Sequence, residues 1–124
     1  MLHKDLTGKI IKAAMNVHNT LGFGFMEKVY ENALMLELEL SELEAIQQRP
    51  IKVFYKGKVV GEYIADMIVE DKIILELKSI ENLEKIHEVQ LVNYLKAVNK
   101  EVGILLNFGK EKLEFKRKVL NIEK

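Results

Sequence analysis

Near residue 50 of this chain of 124 residues the spacing of apolar residues changes from helical to alternating, and that change limits what it can fold into. Leu6, Ile10, Ala13, Ala14, Val17, His18 and Leu21 recur every three or four positions, which predicts a first helix from about residue 4 to residue 20. Gly22 and Gly24 break it. Met26, Val29, Tyr30, Ala33, Leu36 and Leu40 repeat the helical period, so a second helix is expected from about 25 to 43, with its glutamates on the wet face. Gln47–Pro50 should interrupt any helix, because Pro50, the sole proline, disfavours helical geometry in the residue before it. Just beyond Pro50 the apolar period is two.

Ile51, Val53 and Tyr55 alternate with Lys52 and Phe54, Lys56-Gly57-Lys58 supplies a turn, and Val59 to Val69 reads as a second strand. After Glu70-Asp71-Lys72, Ile73 to Lys78 is apolar on both faces except at Glu76 and Lys78, as in a strand buried mid-sheet. Helical spacing returns from about Leu83 to Val98. Val102 to Asn107 reads as a fourth strand and Lys112 to Val119 as a last strand at an edge. The order α, α, β, β, β, α, β, β predicts an α/β fold: a mixed sheet of four or five strands flanked by helices.

Length predicts one domain over residues 1–124, able to bury about two-thirds of its unfolded surface without disulfides or metal staples. Apolar residues make up 48% and charged residues 31%, which excludes a disordered or fibrous chain. With no Cys, and His only at positions 3, 18 and 87, a closed zinc site is not expected. No apolar run has the length of a signal core or a membrane span, so the protein is expected in the cytoplasm and not in a membrane.

Nineteen basic residues balance nineteen acidic ones, which argues against coating nucleic acid by charge alone. The acid is concentrated: residues 27 to 44 carry six Glu and one Lys. In the tail, Lys110, Lys112, Lys116, Arg117 and Lys118 outnumber Glu111 and Glu114, a pattern that exposed edge strands use against pairing with other chains.

Three ionisable residues, Asp66, Glu76 and Lys78, sit where a sheet should be dry and therefore need partners, a metal or a water-lined cleft. Glu76 and Lys78 are two apart and share a strand face. A two-residue loop at Glu70-Asp71 would set Asp66 opposite Leu75; a three-residue loop that includes Lys72 sets it across from Glu76. The second register, or an equivalent bulge, keeps Ile68 with Ile74 and is the one expected. Two carboxylates so close repel each other unless a cation or proton intervenes. Proteins usually hold magnesium through one or two carboxylates and waters, and a Lys alongside can orient attacking water, so the trio suits phosphodiester hydrolysis. An inert buried ion network is the other reading of the same residues.

Asp66 followed by Glu76-Leu77-Lys78 resembles the Asp…Glu-x-Lys signature of the PD-(D/E)XK nuclease superfamily, whose core order of helix, three strands, helix and strand is also the order read above. A nearer resemblance is to the GxxExxY proteins within it. Gly24-Phe25-Met26-Glu27-Lys28-Val29-Tyr30 matches their motif, and the stretches around Gly61-Glu62-Tyr63, Ile74 to Lys78 and Gln90 to Leu95 are similar too. The likeness runs from about Ile10 to Val119. It implies a restriction-endonuclease-like core (α-β-β-β-α-β) with an extra N-terminal helix. It also implies Asp66 and Glu76 as ligands of Mg2+, with Mn2+ as a substitute, Glu27 completing the acidic site, and Lys78 activating water. Gln90 and Tyr94 resemble the Gln-x3-Tyr motif of the RecB-type branch, which helps hold nucleic acid. Ala65 departs from the pattern by standing where the superfamily has Pro.

Each residue has a plainer reading. Glu27 also suits a helix first turn, where the dipole favours acid; Tyr30 and Tyr94 suit a core; Gln90 suits a solvated helix face, and His87 a structural role. Gly22 and Gly24 are read as a flexible joint that aims Glu27. The expected function is a magnesium-dependent nuclease acting on DNA. The alternative is a catalytically silent nuclease-fold module that binds nucleic acid or a protein partner. A homodimer formed through Phe108, Leu113 and Phe115 is a further source of binding surface.

Overall fold

The computed structural model describes residues 2–121. Two helices come first, α1 (Lys4–Leu21) and α2 (Glu27–Leu40). They are followed by β1 (Ala45–Tyr55), β2 (Lys58–Val69), β3 (Ile73–Lys78), α3 (Lys85–Val98), β4 (Val102–Asn107) and β5 (Glu114–Val119). The strands form one sheet in the order β1-β2-β3-β4-β5. Only β3 and β4 run parallel, and α3 supplies the crossover that a parallel pair requires. The mixed sheet flanked by helices, with an additional first helix, is the architecture expected from the change of apolar period.

Each face of the sheet has its own core. Met67, Val69, Leu75, Leu77, Ile104 and Leu106 meet α1 and α2 through Ile10, Ala14, Tyr30 and Leu34. Ile68, Ile74 and Leu105 meet α3 through Leu91, Tyr94 and Leu95. A strand covered on both sides has no wet face, which is why β3 lacks polar alternation.

Met67, Ile68 and Val69 stand opposite Leu75, Ile74 and Ile73. This is the three-residue-turn register, and one further step sets Asp66 abreast of Glu76. Glu70 and Asp71 make the turn with φ of 54° and 53°.

Two expectations are corrected. Gln47–Pro50 does not precede the strand but lies within β1, which begins at Ala45. Pro50 is tolerated because β1 is an edge strand, and Gln48, at φ 58°, kinks it. Phe108 is no surface residue: it is fully buried and stacks on Tyr30 with centroids 4.6 Å apart, while Leu113 is half-buried against the same core. Of the three apolar residues assigned to a dimer surface, only Phe115 is exposed. The tail cations lie on the edge strand β5, as the edge reading expects, and two of them are paired. Lys116 and Lys118 lie 3.7 and 3.0 Å from Glu88 on α3, and the Lys118 bond holds the Glu88 carboxyl below its usual range.

Among the described residues, no helix is long and apolar enough to cross a membrane.

Candidate active site

Strands β2 and β3 stop pairing through their backbones just where the two carboxylates stand abreast. The Asp66 N–H donates to Glu76 Oε2 at 2.7 Å, and the Leu77 N–H donates to Asp66 Oδ2 at 2.7 Å. Side chains have replaced the ladder. The inward-facing set of β2 changes sides at the same point: Ala65 belongs with α3, whereas Met67 and Val69 belong with α1 and α2. Across from Asp66, Gln48 is the kinked residue of β1, flanked by the regular pairs Gln47–Met67 and Arg49–Ala65. The strands therefore part around Asp66 and leave its carboxylate and that of Glu76 with one oxygen each not engaged by these main-chain bonds.

Glu76 is only 6% exposed. Burial, then the charge of Asp66, push its carboxyl up from 4.5 to about 8, and its bond from the Asp66 N–H and the Lys78 charge offset this only in part. Asp66 is raised as well, first by burial, then by the charges of Glu31 and Glu27, against the Leu77 N–H and Lys78. Both carboxyls are thus held in a site that disfavours two negative charges at once. Lys78, one strand repeat beyond Glu76 on the same face, is the cation that eases both.

Helix α2 brings Glu27 and Glu31 to the site one turn apart. Glu27 is exposed and lines a hollow with Ser79, Ile80 and Gly109. Glu31, absent from the sequence reading, is 4% exposed and is the more firmly held. It accepts from Gln47 Nε2 at 2.6 Å, Gln48 Nε2 at 3.0 Å and Lys28 Nζ at 3.0 Å, so it anchors the kinked part of β1 to α2. Its spacing of four from Glu27 was the signal available. Among the described residues, no three His, Cys, Asp or Glu side chains converge as a ready-made metal cluster. The two oxygens left over at Asp66 and Glu76, on a raised carboxylate pair, are nonetheless hard donors whose repulsion a divalent cation would relieve.

On the other side, Gln90 Nε2 donates to the Tyr94 hydroxyl at 3.0 Å. Burial and the nearby Glu76 charge raise the Tyr94 hydroxyl above its ordinary range, so it keeps its proton. Its ring lies 5.7 Å from that of Tyr63 on β2. These residues open onto a groove of about 750 Å3 between the β1–β2 hairpin and α3.

The sequence profile of the PD-(D/E)XK nuclease superfamily matches residues 4–118. The chain belongs to that superfamily. The fold is similar to that in the crystal structure of SSO0001, with a TM-score of 0.60 and 21% identity over 78% of this chain and 52% of the other. The chain spans about half the length of that protein, and the resemblance is one of fold. No curated protein matches the chain.

Around the Asp66–Glu76 pair, several residues prove to be supports. The Tyr30 hydroxyl donates to the Gly22 carbonyl at 2.7 Å and accepts from the Phe25 N–H at 3.2 Å. The Gly22–Gly24 joint, with φ of 73° and 110°, is thus tied down and not loose as expected. Ser79 Oγ donates to the Phe25 carbonyl at 2.6 Å, joining it to the segment after Lys78. Asn107, fully buried, holds both main-chain groups of Ile80 at 3.0 Å and accepts from the Gly109 N–H at 3.0 Å. His87 Nδ1 accepts from the Glu84 N–H at 3.0 Å in a capping box, and His18 Nε2 bonds the Lys110 carbonyl at 2.7 Å, so both are structural.

Proposed function

We propose that residues 1–124 act as one nuclease-like domain that hydrolyses phosphodiester bonds of DNA with Mg2+, or Mn2+ in its place, and that it falls in the GxxExxY group of the superfamily. The observation that carries this reading is the Asp66–Glu76 pair, half-buried at Asp66 and buried at Glu76, both carboxyls raised, with Lys78 on the same strand face as Glu76. Asp66 and Glu76 would hold the cation, with Glu27 completing the acidic side from α2. Bound there, the cation would supply a Lewis acid for a phosphoryl oxygen and sharpen water as a nucleophile.

The remaining chemistry belongs to the chain. Lys78 orients the attacking water and offsets negative charge that grows on the phosphoryl group. The Tyr94 hydroxyl, whose oxygen already accepts from Gln90, has its proton to give to a phosphate or sugar oxygen of the substrate. Gln90, with its second amide hydrogen, holds the same strand. Burial of Glu76 keeps bulk water from screening these interactions.

Calorimetric titration with MnCl2, paired with cleavage of linear, supercoiled and single-stranded DNA and of RNA, tests the reading. Metal-dependent cleavage is expected, lost by at least about a hundredfold in Asp66→Ala and Lys78→Ala, with only the first variant also losing metal. If the parent binds no Mn2+ and all three proteins behave alike on every substrate, the nuclease reading fails. Binding of nucleic acid without cleavage by the parent would assign the chain to the silent-module alternative.

A further inference from the structure

Resting on that reading, we propose that the groove between the β1–β2 hairpin and α3 receives an unpaired nucleic-acid strand, with its bases stacked on Tyr63 and Phe54. The groove leads away from the site at Tyr94, whose ring neighbours Tyr63. Phe54 is 59% exposed and Tyr63 is 51% exposed. Ile86 and Val89 on α3, also exposed, form the opposite wall. Duplex DNA presents sugars and phosphates to a protein surface and shows its base faces only at its ends, so open aromatic and aliphatic walls gain little from it. An unpaired strand has base faces to offer, and stacking on an aromatic ring tolerates any sequence.

Charge supports the same occupant. The groove continues past Phe54 and Ala97 into a second hollow, and Arg49, Lys52 and Lys96 line the two. Among the described residues, no acidic side chain lines either one, although the whole chain is neutral. The pattern is a set of rings flanked by cations, with the Gln90 and Asn93 amides between them, which suits a polyanion whose bases are free. A purely apolar partner would leave these cations uncompensated.

Fluorescence anisotropy in EDTA, so that no cleavage intervenes, tests the assignment with labelled oligothymidylate of about 20 nucleotides, its uridine counterpart and a duplex of equal length. One of the single strands should bind more tightly than the duplex. Tyr63→Ala should weaken that binding by about five- to a hundredfold, while Tyr63→Trp, which keeps a stacking face, restores it. Lys96→Ala should lower the slope of log affinity against log salt by about 0.7. Equal binding of duplex and single strands, or no change in Tyr63→Ala, overturns the proposal. So does a dimer in sedimentation velocity that Phe54→Ala and Tyr63→Ala dissolve, which would make the groove a self-interface.

The two readings can fail separately. If the parent cuts duplex and single strands equally and Tyr63→Ala cuts as the parent does, the groove assignment falls and the nuclease reading stands. If Tyr63-dependent binding occurs but no divalent ion brings cleavage, the nuclease reading falls and the groove assignment stands.

Discussion

On the α2 side of Asp66 and Glu76, main-chain groups are fixed by directional hydrogen bonds, most of them part-buried. Tyr30 holds Gly22 and Phe25, Ser79 reaches Phe25, and Asn107 grips Ile80 and Gly109. On the α3 side, one hydrogen bond joins Gln90 to Tyr94, and beyond it the walls are exposed rings and aliphatic chains. The difference teaches what each flank is for. A buried hydrogen bond left unmade costs the full desolvation of its groups, so the α2 flank has one arrangement and fixes where Glu27 and Lys78 stand. Apolar walls impose no such geometry, and the α3 flank can accept a ligand in varied registers.

Breaking the first flank should have the largest effect. A Cβ at Gly109 would lie 2.2 Å from the main-chain N and O of Ile80, a contact no side-chain movement can relieve. Gly109→Ala is expected to destabilise the protein by more than about 3 kcal/mol in urea denaturation and to shift the segment after Lys78. Asn107→Ala should approach the same loss by stranding the Ile80 and Gly109 groups.

The carboxylate pair between the flanks comes next. Glu76 has a carboxyl raised from 4.5 to about 8, so the fold prefers its protonated form. Its contribution to stability is therefore complete below pH 4.5, declines as the unfolded chain ionises first, and is gone above about pH 8. Metal-free protein should lose on the order of a few kcal/mol across that window, read from urea midpoints at successive pH values. Glu76→Gln, still able to accept from the Asp66 N–H, should flatten most of the slope.

A pair of conservative variants sharpens the contrast between flanks. Tyr30→Phe keeps the stack on Phe108 but leaves the half-buried Gly22 carbonyl and the Phe25 N–H without their partner, at about 1 kcal/mol. Tyr94→Phe removes a hydroxyl with a single side-chain partner and should cost less than half as much in the same denaturation experiment, while impairing cleavage more. The smallest effect is expected at the exposed walls. Phe54→Ala and Tyr63→Ala should change stability by no more than about 0.5 kcal/mol, so any effect they have on binding belongs to the groove itself.

Much of this arrangement was legible in the residues. The turn at Glu70-Asp71-Lys72 and the pairing of Ile68 with Ile74 were enough to bring Asp66 beside Glu76, because the other register would have set Asp66 opposite Leu75 and turned Glu76 away. The first half of β1 was not legible. Ala45 to Pro50 has no apolar alternation, contains the only proline and is bent at Gln48, so its strand state depends on pairing with β2 and on Glu31 accepting from Gln47 and Gln48. Phe108 was misread for a related reason. It follows the end of β4, where periodicity no longer indicates a face, and it is buried by Tyr30, His18 and other core residues distant in sequence.

The sequence by itself determined the element order, the neutral charge with its acid-rich α2, and an ionisable trio on strands otherwise apolar. These are properties of neighbours along the chain, written in periods of 3.6 and 2. The tertiary structure decided that β2 and β3 part at Asp66, that Glu31 stands behind the site, that Tyr30 serves as a tie, and that Phe54 and Tyr63 face α3 across an open groove. Each of these is a contact between residues distant in sequence, and its partner is chosen only when sheet and helices close on one another.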